Sequence, residues 1–164
     1  MTLFHGSSVV VEKPILDYSR KSLDFGPGFY TTENREQAID FARKVALRYE
    51  QGARSVCIYD YDIEAAKNIL EILIFSGPDR LWLDYVHQNR HGRYKGKSYD
   101  LVIGPVANDD VYAALIVYEQ GILNAEQTVE ALKVKKLYSQ YVFKTDRALS
   151  FLNFVDSFDP GVVS

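Results

Sequence analysis

Two short apolar segments near the start of the chain carry side chains able to bind or stack. In Leu3-Phe4-His5-Gly6-Ser7-Ser8 an imidazole ends a strand-like run. The glycine after it lets another group approach the main chain closely, and two hydroxyls add donors. In Asp24-Phe25-Gly26-Pro27-Gly28-Phe29-Tyr30-Thr31-Thr32 a tight turn feeds an aromatic strand that runs into a helix. Taken alone, His5 reads as a structural or a ligand-binding imidazole, and Tyr30 as a half-core ring or a stacking platform. Gly26-x-Gly28 is too short for a dinucleotide fingerprint, which needs a third glycine and a strand–turn–helix order.

Three further groups carry charge. Val106-Ala107-Asn108-Asp109-Asp110 follows a strand, where functional loops often sit, yet Asn108 or Asp109 would equally cap the helix that begins near Val111. The adjacent aspartates have no third ligand placed by spacing, so no metal is assigned there. His87 and His91 are four residues apart in a basic stretch that runs through Arg90 and Arg93 to Lys97. On a helix the pair could share a metal, but without another ligand in the sequence it reads as a solvated helix end. Lys133, Lys135 and Lys136 read as a solvated helix face.

The elements that position these groups follow from periodicity. Asn34 with Gln37 has a capping-box pattern, and Ala38, Phe41, Ala42, Val45, Ala46 and Tyr49 recur at helical spacing before Gly52. Val56 to Ile63 alternates as a strand, with Cys57, Tyr59, Tyr61 and Ile63 on one face and Asp60 and Asp62 on the other. Ala65 to Phe75 fits either period. Asp79 caps a helix that ends near Gly92, and Leu101-Val102-Ile103 reads as a central strand. Helices follow over 111–120 and 125–137, the second with Asn124 and Gln127 as another capping pair. Gln140 to Phe143 reads as a strand, Thr145 or Asp146 caps a short helix, and a last short strand covers 153–155. Strands and helices mix without βα alternation, which predicts an α+β fold.

The 164 residues fit one domain, 1–164, with a sizeable core. A net charge of −3 argues against broad electrostatic binding to nucleic acid or anionic membrane. No apolar stretch approaches the roughly 20 residues needed to span a bilayer, and no signal-peptide pattern opens the chain. The single cysteine, Cys57, excludes an internal disulfide and fits a reducing, cytoplasmic setting.

Taken together, the two opening segments resemble the His-Tyr-Glu branch of the ADP-ribosyltransferase superfamily. The resemblance rests on Phe4-His5-Gly6-Ser7, on Gly28-Phe29-Tyr30-Thr31-Thr32 with the helix after it, on Tyr99-Asp100-x-Val102-x-Gly104-Pro105-Val106-Ala107-Asn108-Asp109, and on Gln140-Tyr141-x-Phe143-x-Thr145. With Trp82-Leu83 and Asn89-Arg90 these phrases are similar to an uncharacterised bacterial family placed within that superfamily. The resemblance implies a split β-sheet core with flanking helices and NAD as co-substrate, with no metal. It implies that His5 and Gly6 hold the ribose and the nicotinamide amide, with Ser7, Gly28, Phe29 and Asn108 lining the site, and that Tyr30 stacks on nicotinamide. The third position, where the branch expects Glu, Asp or Gln, falls on Gln140. A glutamine can bond a ribose hydroxyl but cannot act as a base. So the acceptor needs no base, or Asp109 supplies it, or the domain has lost chemistry. Mono-ADP-ribosylation of a protein or nucleic-acid acceptor is the expected activity, with a catalytically silent NAD-binding module or an NAD glycohydrolase as alternatives. Relatives encoded beside small partner proteins make a toxin with an antitoxin partner the expected setting, and the basic stretch would face the NAD pyrophosphate or a nucleic-acid acceptor.

Overall fold

A computed structural model describes residues 1–16, 23–48, 53–106, 109–133 and 137–161. Chain order runs β1 (Thr2–Ser7), β2 (Phe29–Thr32), α1 (Arg35–Arg48), β3 (Ser55–Tyr61), α2 (Ile63–Lys67), β4 (Ile72–Ile74) and α3 (Arg80–Arg90). It continues β5 (Leu101–Pro105), α4 (Asp109–Glu119), α5 (Ala125–Lys133), β6 (Ser139–Phe143), α6 (Asp146–Leu149) and β7 (Leu152–Phe158). The seven strands form one mixed sheet in the order β4-β5-β6-β2-β1-β3-β7, with β4 and β5 parallel and the other pairs antiparallel. The fold is therefore mixed α and β, with six helices among the described residues.

Alternation along the strands divides the core in two. One face carries Leu3, Phe29, Cys57, Tyr59, Leu101, Ile103, Tyr141 and Phe143, covered by Ala66 of α2 and by Ala148 and Leu149 of α6. The other carries Val102 and Val142 beneath Trp82, Leu83 and Val86 of α3, Leu115 of α4 and Leu132 of α5. On that same face α1 lays Ala38, Ile39 and Ala42 over Val56 and Phe4. Burying a Phe- or Leu-sized side chain stabilises by roughly 1.5–3 kcal/mol, so these layers carry most of the driving force. Trp82 is fully buried, and its indole N–H donates to the Pro105 carbonyl at 3.2 Å, which tells why a Trp is tolerated there.

The helix starts obey the sequence with one change. Asn124 and Gln127 cap α5 reciprocally, each bond 2.9 Å. At α1 only half of the box forms: the Gln37 N–H donates to Asn34 Oδ1 at 2.9 Å, while the Asn34 N–H turns to Thr32 Oγ1 at 3.1 Å. The Thr32 hydroxyl in turn donates to Gln37 Oε1 at 2.7 Å, so the end of β2 and the start of α1 are one hydrogen-bonded unit. The ambiguous stretch 65–75 divides into α2, capped by Asp62, and the edge strand β4. β7 is longer than expected because it pairs with β3 along most of its length.

Buried Asp100 ties three elements at one end of the sheet. Its carboxylate accepts from Thr145 Oγ1 at 2.7 Å, from the Glu71 N–H at 2.9 Å and from the Arg147 guanidinium. Burial pushes the carboxyl up, but the Arg147, Thr145 and Glu71 bonds outweigh it, and the group titrates below its ordinary 3.8. A depressed carboxylate contributes stability above the unfolded value that disappears as pH falls through the folded one. Asp100→Asn is expected to cost about 2 kcal/mol at pH 7. The gap to wild type should narrow as pH drops below 3.8. Urea unfolding of both proteins at pH 7 and at low pH checks this, and a gap that does not change would remove the charge from the account.

Candidate functional site

β1, β2 and β6 lie side by side at the centre of the sheet and carry His5, Tyr30 and Gln140 respectively. The β1–β2 ladder consists of one pair, Phe4 with Thr32, whereas β1 pairs with β3 over six residues and β2 with β6 over four. The sheet is thus weakly joined at its middle. Beyond Phe4 the main chains of Gly6–Ser7 and Phe29–Tyr30 are not laddered to each other. In place of a ladder bond, His5 Nδ1 lies 2.7 Å from the Tyr30 carbonyl oxygen.

That contact fixes the state of His5. A carbonyl only accepts, so Nδ1 carries the proton. Burial lowers the imidazole below its ordinary 6.5, against the Tyr30 bond that raises it. The ring is therefore neutral at pH 7 and presents Nε2 as a hydrogen-bond acceptor. It leans on Phe29 with ring centroids 4.3 Å apart. Phe29 itself is buried and meets Tyr59 edge-on, so it orients His5 from within the core.

Tyr30 stands on the opposite face from His5, in the layer with Val142. Its hydroxyl donates to the Gly26 carbonyl at 2.7 Å and accepts from the Phe25 N–H at 3.0 Å. Burial pushes the hydroxyl well above 10, so it stays a neutral donor. The ring is half-buried, and its plane is set by the turn that precedes its own strand.

Gln140 shares that face with Tyr30. Thr32 is opposite Gln140 and Tyr30 is opposite Val142, which makes Tyr30 and Gln140 diagonal neighbours roughly 7–8 Å apart. Gln140 is only 6% exposed, and its Nε2 donates to the Pro105 carbonyl at 3.3 Å. Because that partner only accepts, the amide orientation is fixed and Oε1 is the end left for another donor. Pro105 and Ser139 also line a cavity of about 220 Å³ with Phe75, Leu132 and Tyr138.

The remaining expected residues fall as follows. A β-carbon on Gly6 would come within 2.1 Å of the Ala38 carbonyl oxygen and 2.8 Å of the Ala42 nitrogen, so this glycine is the seat of α1 on β1. Ser7 Oγ accepts from the Val9 N–H at 3.2 Å in a local turn. A β-carbon on Gly28 would press on Val142 and the Phe143 carbonyl, so the loop lies flat on β6. Asp109 is the first residue of α4, and Asn108 lies outside the described residues, as do Lys135 and Lys136.

Two groups assigned no such role from the sequence complete the surroundings. Lys144 Nζ donates to the carbonyls of Phe25 and, at 2.9 Å, of Pro27, clamping the turn from the β6 side. Arg90 on α3 reaches Asp24 at 3.5 Å, and Asn89 beside it is buried against Gly26. Gly26 itself has φ +73°, and a side chain there would also strike Asn89 Oδ1 at 2.5 Å. The opposite charges of Asp24 and Arg90 were a signal in the sequence. The role of Lys144 had none, because it depends on carbonyls 117 and 119 residues away.

A family profile described as "Protein of unknown function (DUF3990)" matches residues 1–154. No curated protein matches the chain, and no solved structure does.

Two outcomes test the geometry. Gly6→Ala is expected to destabilise by about 1–3 kcal/mol, because main-chain atoms of α1 must move, and urea unfolding measures it. Burial lowers the Lys144 amine from 10.5 to about 8. Between these values the unfolded chain binds more protons than the folded one, so stability from this group rises with pH across the window. The stability of wild type relative to Lys144→Met should therefore grow between pH 7.5 and 9.5 in thermal melts. A constant difference would mean the amine is not held in that environment.

Proposed function

The chain belongs to the DUF3990 family, whose function is unknown, and we propose that it is a mono-ADP-ribosyltransferase that uses NAD. The observation that supports this reading most is that His5, Tyr30 and Gln140 occupy three adjacent strands, His5 on one face of the sheet and Tyr30 with Gln140 on the other, at the point where the central ladder shrinks to one pair. The motif order that resembles the His-Tyr-Glu branch thus coincides with a sheet weakly joined between its first two motif strands.

The residues fit NAD in three respects. His5 offers a neutral imidazole whose Nε2 accepts from a ribose hydroxyl. The main chain of Gly6 and Ser7, paired with β3 but not with β2, offers amide-type donors and acceptors on its β2 side to the nicotinamide carboxamide. The Tyr30 ring, its plane fixed by Gly26 and Phe25, offers a stacking face. NAD supplies a glycosidic bond to nicotinamide whose cleavage leaves the ribosyl carbon open to an acceptor.

Gln140 supplies part of what a carboxylate would. Its Oε1 accepts from the ribose hydroxyl as positive charge develops on the sugar, a contact that strengthens toward the transition state. It brings no negative charge and takes no proton. The acceptor in this reading is a group nucleophilic without a base, or one served by Asp109. The absence of charge at Gln140 also favours a second reading, a silent NAD-binding module that works through protein contacts.

Nicotinamide release from NAD, with and without cell lysate as a source of acceptor, separates the two. Release by wild type supports the transferase or, where lysate is not needed, the glycohydrolase. Gln140→Ala should lower turnover far more than NAD affinity. Gln140→Glu should keep transfer or raise hydrolysis, since a carboxylate activates water. No release by wild type or by the Glu variant leaves the silent module. In calorimetry, Tyr30→Ala should weaken NAD by roughly five- to tenfold, about 1 kcal/mol, while Tyr30→Phe keeps the ring and most of the affinity. Unchanged affinity in the Ala variant would remove Tyr30 from the site.

A further inference from the structure

The C-terminal ends of α3 and α4 bring together three metal-ligating side chains that the proposed transferase does not use. His87 and His91, one helical turn apart, face the same side of α3. Glu119, the last residue of α4, comes across to meet them. The spacing of the two imidazoles is a two-ligand pattern in the sequence, and the fold adds the third.

The geometry is close to that of a bound ion. His91 Nε2 is 3.3 Å and His87 Nδ1 3.7 Å from the same carboxylate oxygen, Glu119 Oε1. All three ligand atoms lie within 4.8 Å of one another, the one such group of three among the described residues. Ligands about 2.0–2.1 Å from a tetrahedral zinc stand about 3.3 Å apart, so closing the site needs only small side-chain shifts.

A second observation points the same way. His87 Nδ1 is a buried polar atom without a hydrogen-bond partner. Its ring is held edge-on by Tyr118 at 5.6 Å and by His91 at 4.7 Å between centroids, which leaves Nδ1 directed at Glu119 but beyond bonding distance. An unpaired buried nitrogen costs stability unless something fills its lone pair. The neighbouring cation, Arg90, is 3.9 Å from Glu119 but also has Asp24 at 3.5 Å and the Tyr112 ring at 4.5 Å, so Glu119 is not its sole partner.

We propose that His87, His91 and Glu119 bind one zinc ion, with a fourth position open to water, and so tie α3 to α4. Two imidazoles and one carboxylate suit zinc and its transition-metal neighbours, whereas calcium and magnesium require oxygen donors.

The test is calorimetric titration of the full chain with zinc chloride, with cobalt(II) absorption as a reporter of tetrahedral nitrogen and oxygen ligation. Wild type should take one zinc per chain and melt at a higher temperature with zinc present. His91→Ala and Glu119→Gln change partly exposed side chains, and far-UV circular dichroism checks their fold. Each should weaken zinc by at least about tenfold and abolish the rise in melting temperature. Cys57→Ser, at the sole thiol, should bind as wild type does. No binding at 100 µM zinc (about 100 µM is ample for a three-ligand site), or binding that survives both ligand substitutions, would overturn the assignment.

Discussion

The bond between His5 Nδ1 and the Tyr30 carbonyl is the constraint on which the centre of the molecule depends. β1 and β2 are neighbours in the sheet but share one ladder pair. Each is held firmly on its other side, β1 by β3 and β2 by β6. The side chain of His5 therefore does work that main-chain bonds do elsewhere. It closes the join and is itself fixed in one tautomer. A half-buried, neutral, oriented imidazole at a seam between two strand groups is a structural requirement first, and in the proposed function the same requirement prepares it to accept from a ligand hydroxyl.

Around this seam the loop over 25–28 is held from three sides. Tyr30 holds it through two hydrogen bonds, Lys144 through two carbonyls, and α3 through Asn89 and the Asp24–Arg90 pair. Residues elsewhere in the fold are tied by side-chain bonds of the same kind. Trp82 and Gln140 share the Pro105 carbonyl, and Asp100 and Thr145 bond each other across β5 and α6. Such residues are recognisable in sequence because each has a partner that few other side chains could serve.

How much was legible without coordinates depended on the range of the interaction. α1, α3 and α5 were plain, because their caps and apolar spacing are local. The stretch 65–75 was not, since β4 exists through its pairing with β5, some thirty residues on. Gly6 was noticed as a place of close approach, but the approaching group is α1, and only packing could tell. The three candidate strands could be named, yet their adjacency in the order β6-β2-β1 is a property of topology. Glu119 drew no attention because an acid at a helix end is ordinary until two imidazoles stand beside it. No helix among the described residues is long and apolar enough to cross a membrane, as the hydropathy pattern implied.

The strand order also sets when the molecule can come into being. β1 and β2 follow each other in the chain but do not form a hairpin of consequence. β1 waits for β3, whose pairing residues are about fifty positions later, and β2 waits for β6, with Thr32 opposite Gln140. The central seam is thus the product of two separately completed halves. Topologies dominated by such distant pairings fold slowly, because chain entropy must be surrendered before the contacts reward it. During synthesis from the N-terminus, β2 emerges early and remains without its long-range partner until most of the chain has been made. The central seam is then among the last parts to assemble, and the chain cannot present it until the fold as a whole is nearly finished.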